Sequence, residues 1–165
     1  MRTKIKIFTV GGTIDKVYFD AKSSYEVGPP NIAAELEQLN LNFDFAVTSL
    51  MKKDSLEMTD EDRQIIHTAI ANCGDERIVI THGTDTMALT ADVLSDIPNK
   101  TIVITGALAP AIFKTTDALF NIGCAVTAVQ TKAAGVYIAM NGQIFDYDNV
   151  RKDVPNNRFV PLRDE

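Results

Sequence analysis

The chain has 165 residues, of which 45% are hydrophobic, so it is long enough for one domain with a sizeable buried core. Lys and Arg total 16 and Asp and Glu total 22, and the resulting net charge of −6 argues against binding of nucleic acid or of an anionic membrane. No apolar run approaches the roughly 20 residues that span a bilayer, and no signal peptide is evident at the amino terminus.

The first half of the chain alternates between strand and helix patterns. Residues 4–10 predict a strand that ends at Gly11, Gly12 and Thr13. Residues 15–30 are irregular, and a loop of this length inside a domain usually forms a lid or a binding loop. The pattern then predicts a helix over 30–39, a strand over 43–50 and a polar loop over 52–58.

The second half begins with a capping-box pattern, in which Thr59 precedes Asp62 by three residues and opens a helix that stops near Gly74. A strand over 77–81 ends in a polar turn, and a helix over 85–95 follows with Thr84 or Asp85 as its N-cap. Further elements are expected as strands over 101–105 and 135–140, a helix over 117–129, and a short strand within 143–150 after the turn at 141–142.

Strands that alternate with helices are typical of an α/β fold with a mostly parallel sheet and helices on both faces. The sequence therefore predicts a three-layer, Rossmann-like or flavodoxin-like domain over residues 1–152. Residues 153–165 carry two prolines and end in charged residues, and are expected to form a tail.

Unusual polar and glycine residues follow four of the predicted strands. If the sheet is parallel, all of them meet at its carboxyl edge, where open α/β sheets bind ligands. These strand ends are 11–13, 54–55, 84–85 and 106–107.

Each of these features also has a structural explanation. The glycines after the first strand lack the GxGxxG and GxxxxGK[ST] fingerprints, which argues against a phosphate or dinucleotide site. Thr84 and Asp85 alone suit an ordinary helix cap. His82 fits a catalytic base or a structural histidine equally well, His67 fits a structural role, and two isolated histidines make a poor metal site.

Two motifs together carry a resemblance to a known family. VGGTID at 10–15 and THGTDTM at 81–87 resemble motifs of the bacterial-type L-asparaginase/glutaminase family. The similarity extends over nearly the whole chain: 21–28 resembles the lid loop of that family, 54–59 its loop for the substrate carboxylate, and 103–121 and 135–143 its later strands.

The resemblance implies a set of catalytic residues. It places the first nucleophile at Thr13, activated by Tyr25 in the mobile loop, and a second threonine at Thr84 beside Asp85. Counting eleven residues on from the Asn of an FN pair places the family's catalytic lysine at Lys132. An amide is a weak electrophile, so such a site needs an activated hydroxyl, a proton carrier and oxyanion donors.

The substrate-binding set that the resemblance implies is Ser55, Gly83 and Asp85, with Ser55 on the α-carboxylate and Asp85 on the α-amino group. Leu56 stands where many relatives have a polar substrate contact. These residues together predict an amidohydrolase that releases ammonia from asparagine or a related small amide, with no metal or organic cofactor. The alternative is a non-catalytic module that binds a small amino acid or a protein through the same edge.

Family members carry a second, smaller domain, which this sequence is expected to lack. The uncovered strand ends then favour a homodimer or a higher homo-oligomer. Cys73 and Cys124 have no CxxC partner, which favours reduced thiols and a cytoplasmic location.

Overall fold

The computed structural model describes residues 1–163 and shows a six-stranded sheet between two layers of helices. Five strands run parallel, and the sixth adds to one edge in the antiparallel sense. With strands numbered in chain order, the sheet contains, in spatial order, β4 (Phe43–Lys53), β1 (Thr3–Gly11), β5 (Arg77–Thr81), β6 (Thr101–Thr105), β7 (Gly135–Met140) and β8 (Gln143–Asp146). The predicted α/β fold is confirmed.

Helices and two separate hairpins surround this sheet. The helices are α1 (Ile32–Glu37), α2 (Asp60–Ala71), α3 (Met87–Val93) and α4 (Ala118–Thr131). The antiparallel hairpins are β2 (Lys16–Phe19) with β3 (Ser24–Val27), and β9 (Arg151–Asp153) with β10 (Arg158–Val160).

The hydrophobic core has two layers because both faces of the sheet are covered. Ile78 and Ile80 pack in the layer that contains α2 and α3, whereas Val79 packs in the layer that contains α1 and α4. Burial on both faces explains why β5 and β6 are continuous β-branched runs rather than alternating ones. Within residues 1–163, no helix is long and apolar enough to cross a membrane.

The centre of the sheet has the bounds that the sequence predicts for β5, β6 and β7. The capping box at the start of α2 is also confirmed, because the Asp62 N–H donates to Thr59 Oγ1 at 3.2 Å and the Thr59 N–H donates to Asp62 Oδ2 at 2.9 Å. These elements were predictable because their signals are local.

The third helix begins later than predicted, at Met87, and its N-cap is Thr86 rather than Thr84 or Asp85. The preceding turn is held by a tertiary contact instead of a local cap. The Asp85 N–H donates to Ser55 Oγ at 3.2 Å, and Thr86 Oγ1 donates to the Ser55 carbonyl at 2.8 Å. Residues 82–86 therefore form a turn that is bonded to the neighbouring strand end, and they do not belong to the helix.

The two segments predicted to be irregular are hairpins. Within the expected lid loop, β2 pairs with β3 so that Tyr18 lies opposite Tyr25. The expected tail contains β10, whose Phe159 is 2% exposed and pairs with Lys152 of β9. Residues 164 and 165 of that tail lie outside the described part of the chain. Strands of three or four residues carry too little periodicity to be recognised from sequence.

Gly12 gives the first testable prediction. A methyl group there would lie 2.4 Å from the Gly83 amide nitrogen, and the Gly12 φ of 93° is strained for other residues. We expect Gly12→Ala to lower the free energy of unfolding in urea by about 2 kcal/mol or more. Gly74→Ala is the control, because a methyl group there meets nothing within 4 Å. Equal effects of the two substitutions would contradict the tight packing at Gly12.

Candidate active site

The carboxyl ends of the parallel strands converge as predicted, and they do so through backbone contacts. The Gly12 N–H donates to the Lys53 carbonyl at 2.9 Å, which joins the ends of β1 and β4. Gly12 packs on the Gly83 backbone, and a methyl group on Gly83 would lie 2.6 Å from Ser55 Cβ. Thr13, Ser55 and Thr84 therefore lie at or next to residues whose backbones touch.

Thr84 and Asp85 share a lysine. Lys152 Nζ donates to Thr84 Oγ1 at 2.8 Å and to Asp85 Oδ1 at 2.8 Å. Thr84 is buried, the Lys152 side chain is 17% exposed, and the Asp85 side chain is 38% exposed. The ammonium is thus partly desolvated between a hydroxyl and a carboxylate, while the rest of that carboxylate faces solvent.

The β9–β10 hairpin carries Lys152 to this edge. Opposite Lys152, Phe159 is buried in the core layer that contains α2 and α3. The Phe159 N–H donates to Asn141 Oδ1 at 2.7 Å, in the turn between β7 and β8. One strand of the hairpin anchors in the core, and its partner presents the lysine.

The structure therefore does not place the predicted lysine, Lys132, beside Thr84. Lys132 follows α4, its carbonyl accepts a long hydrogen bond from Thr101 Oγ1 at 3.4 Å, and its Nζ lies 5.2 Å from the centre of the Tyr137 ring. Thr101 opens β6, so Lys132 sits at the amino edge of the sheet, opposite Thr84. The missed lysine, Lys152, has a weak signal in the sequence: it lies shortly before the turn-forming residues Pro155, Asn156 and Asn157.

Ser55 lies beneath the turn that carries Gly83 and Asp85. It is 1% exposed, and its hydroxyl oxygen accepts the Asp85 N–H. In this position Ser55 orients the Asp85 backbone. Its predicted contact with a substrate carboxylate, and that of Gly83, stay predictions.

The Thr13 side of the site is built differently. Thr13 opens a 3-10 turn directly after β1 and is partly exposed. Tyr25 lies on β3 and is 48% exposed, with its ring centre 5.4 Å from that of Tyr18 and 5.6 Å from that of Phe113, both edge-on. Tyr25 is thus held by aromatic packing, and its predicted approach to Thr13 stays a prediction.

An ion pair fastens β2 to the loop that contains Ser55. Lys16 Nζ lies 3.0 Å from Asp54 Oδ2, and the other oxygen, Asp54 Oδ1, accepts the Leu56 N–H at 3.0 Å. Burial alone would raise the pKa of Asp54, but the Leu56 N–H and the Lys16 ammonium outweigh it and hold this pKa below its usual value. Asp54 therefore remains ionised and keeps both contacts.

His82 is part of the scaffold. Burial lowers its pKa to about 4, and the positive charge of Arg63 adds to that effect, while the Gly83 carbonyl opposes it. In the neutral ring, Nδ1 donates to the Gly83 carbonyl at 2.8 Å and Nε2 accepts from Thr90 Oγ1 at 2.7 Å. Both nitrogens are occupied and the side chain is fully buried, so His82 positions Gly83 rather than acting as a base.

Asp15 is a buried carboxylate two residues after Thr13. It is 4% exposed, and Oδ1 accepts the Asn31 N–H at 3.0 Å. Burial raises the pKa of Asp15 to about 6, and the Asn31 N–H offsets only part of that rise. In the part of the chain that the structure describes, no group of three or more His, Cys, Asp or Glu side chains is arranged to hold a metal ion.

Comparison with known proteins identifies relatives of the chain. Residues 4–158 match the family model for the N-terminal domain of asparaginase. The chain is 33% identical to one subunit of the glutamyl-tRNA(Gln) amidotransferase of Pyrococcus furiosus, over 86% of this chain and 34% of that protein. It is 32% identical to a probable periplasmic L-asparaginase of Haemophilus influenzae, over 90% of this chain and 46% of that protein.

Solved structures agree with that match. The thermostable L-asparaginase from Thermococcus kodakarensis superposes with a TM-score of 0.87 and 25% identity, over 99% of this chain and 52% of that one. A probable cytoplasmic L-asparaginase from Campylobacter jejuni superposes with a TM-score of 0.81 and 29% identity, over 97% and 53%. The chain spans about half the length of these solved structures and less than half of the curated relatives above.

Asp15 gives a prediction about stability and pH. Its pKa is about 6 in the folded protein and 3.8 as its ordinary value, so between these pH values the folded state holds a proton that the unfolded state has lost. Stability therefore falls as pH rises from about 4 to 6. The free energy of unfolding of Asp15→Asn, measured relative to the wild type, should rise by up to about 3 kcal/mol between pH 4 and pH 7, since one pKa unit corresponds to about 1.4 kcal/mol. Urea unfolding at both pH values measures this, and a constant difference would contradict it.

Proposed function

The chain belongs to the asparaginase family through its N-terminal domain, and from that premise we propose that it is an amidohydrolase of small amino-acid amides. The observation that carries the proposal is the double contact of Lys152 with Thr84 and Asp85, at 2.8 Å each. A binding module has no need of a hydroxyl paired with a partly desolvated amine. Hydrolysis of an amide needs both a nucleophile and a proton carrier.

In the first half of the reaction, Thr13 Oγ1 attacks the side-chain amide carbon and its proton passes to the phenolate oxygen of Tyr25. The carbonyl oxygen takes up the negative charge of the tetrahedral intermediate. When the C–N bond breaks, Tyr25 passes this proton to the nitrogen, which leaves as ammonia, and an ester to Thr13 remains. Val27, on the strand that carries Tyr25, packs on Gly11 at the end of β1, two residues before Thr13, which supports this division of roles.

In the second half, water attacks the Thr13 ester. Thr84 takes a proton from the water and passes its own to Lys152, which acts at this step as the neutral amine, so the nucleophile is generated without a free hydroxide. When the ester C–O bond breaks, Thr13 Oγ1 takes this proton back from Lys152 through Thr84, and the acid leaves. Asp85 holds Lys152 on Thr84 throughout, because its Oδ1 accepts from the same side-chain nitrogen.

Asp85 also suits the substrate amine. One oxygen accepts from Lys152, and the half-exposed carboxylate presents the other to solvent, where a substrate ammonium can pair with it. Leu56 is 73% exposed beside this site and offers an apolar wall to the substrate side chain. The expected homodimer and cytoplasmic location stay predictions, and light scattering tests the first.

A second function is favoured by the relatives. Two relatives are named as a subunit of glutamyl-tRNA(Gln) amidotransferases. By analogy, the same site would release ammonia from glutamine for a partner enzyme. The alternative of a non-catalytic binding module uses the same residues without turnover.

An ammonia assay on the purified chain with asparagine and glutamine separates these functions. We expect release from asparagine that saturates with substrate. Release from glutamine alone, or release that requires an added partner, would favour the amidotransferase. Binding of either amino acid without ammonia would favour the binding module.

Replacement of Lys152 tests the proton carrier. We expect Lys152→Met to lower kcat about 100- to 10,000-fold, because the substitution removes the amine that accepts the proton of Thr84 while preserving much of the side-chain volume. Steady-state ammonia release measures the effect.

Lys132→Met is the matched control, because Lys132 lies at the opposite edge of the sheet. We expect it to leave kcat within about twofold of the wild type. If Lys132→Met abolished activity while Lys152→Met did not, the assignment of the lysine would be wrong.

A further inference from the structure

Asp15 directly precedes the hairpin that carries Tyr25 and contacts the segment that leaves it. Its carbonyl accepts the Gly28 N–H at 2.8 Å, just after β3, and its Oδ1 accepts the Asn31 N–H at 3.0 Å, at the start of α1. Its own N–H donates to the Gly12 carbonyl at 3.2 Å. One residue therefore joins the end of β1, the start of the hairpin and the segment that leaves it.

We propose that Asp15 is a positioning residue that fastens both ends of the β2–β3 hairpin to the end of β1 and so sets Tyr25 against Thr13. The proposal rests on the proposed function for the role of Tyr25, whereas the fastening itself is a property of the chain without substrate.

The burial of Asp15 supports this role. A carboxylate that is 4% exposed is costly without a partner, and the Asn31 N–H compensates part of that cost. The neighbouring residue supports the same junction, since the Ile14 carbonyl accepts the Ala111 N–H at 3.0 Å. The loop that holds Phe113 is thereby tied to the same turn, and Phe113 packs on Tyr25.

The hairpin has a second attachment of a different kind. The ion pair of Lys16 with Asp54 lies at the surface, with both side chains more than a quarter exposed. Exposed pairs contribute little stability, so the fastening depends mainly on the three hydrogen bonds of Asp15. Loss of the Asp15 side chain removes one of them, the bond to Asn31, and should loosen the hairpin while the two backbone bonds and the sheet stay intact.

Three variants test the fastening. Asp15→Ala removes the acceptor, whereas Asp15→Asn keeps a carbonyl oxygen that can accept the Asn31 N–H without the charge. Asp75→Ala is the matched control, because Asp75 precedes β5 at the amino edge and pairs there with Lys4 at 2.9 Å.

Amide hydrogen exchange on the unliganded chain is the first readout. We expect Asp15→Ala to raise exchange over residues 16–31 at least about tenfold, with β5 and β6 unchanged, because the hairpin opens without global unfolding. Asp75→Ala should exchange in this segment as the wild type does, and Asp15→Asn should exchange no faster than the wild type. Faster exchange of the whole sheet in Asp15→Ala, or no change in the hairpin, would overturn the fastening.

Kinetics are the second readout and use a double-mutant cycle. We expect Asp15→Ala to lower kcat about tenfold and Asp15→Asn to restore it to within about twofold. In a Tyr25→Phe background, Asp15→Ala should have no further effect on kcat, because the side chain that it positions has lost its hydroxyl. If the two substitutions lowered kcat by independent factors that multiply in the double variant, the link between Asp15 and Tyr25 would be overturned.

The two readouts separate the proposals. Local loosening of the hairpin in a chain without amidase activity would refute the proposed function and support the fastening. Full activity in Asp15→Ala with an unchanged hairpin would refute the fastening and leave the proposed function standing.

Discussion

The close approach of the Gly12 and Gly83 backbones is the constraint on which the rest of the site depends. A side chain at Gly12 would overlap Gly83 and force the ends of β1 and β5 apart, and one at Gly83 would overlap Ser55, which follows β4. Gly106 extends the same contact to β6, because a methyl group there would lie 2.3 Å from the His82 carbonyl. Small residues at the carboxyl edge thus allow hydroxyl and carboxylate groups from distant parts of the chain to face one space.

At this edge of the sheet, His82 is a neutral structural residue, whereas Lys152 carries a positive charge and contacts both Thr84 and Asp85. His82 is kept neutral by burial, with both ring nitrogens occupied, so it supports the Gly83 turn without adding charge. Lys152 brings the positive charge instead, and its contacts with Thr84 and Asp85 lie in a partly desolvated position. Its field also reaches Asp54, where it helps to lower the pKa. The positive charge beside Thr84 therefore comes from the β9–β10 hairpin.

The sequence predicted the sheet and the strand ends because these depend on local patterns. Runs such as 77–81 and 101–105 are buried on both faces and are recognisable as strands without tertiary information. The start of α3 was mispredicted because Ser55, 30 residues before Asp85 in the chain, holds the turn that precedes the helix. No local pattern encodes such a contact.

The lysine was misplaced for a related reason, since counting along the chain reached Lys132 at the end of α4, where the helix has run back to the amino edge. The side chain that meets Thr84 lies 68 residues after that threonine, on a three-residue strand whose position depends on the burial of Phe159.

On the proposed mechanism, the two threonines differ in how they are supported, and that difference has a consequence for the reaction. Thr84 is buried and already contacts Lys152, so its proton path is assembled before any substrate arrives. Thr13 is partly exposed and depends on Tyr25, whose position is set by a two-stranded hairpin and by edge-on aromatic contacts. An isolated hairpin is marginally stable, so this side of the site depends on the contacts that attach the β2–β3 hairpin to the sheet. Formation of the acyl intermediate should therefore be the step that responds to changes in the hairpin, whereas its hydrolysis should respond to changes around Lys152.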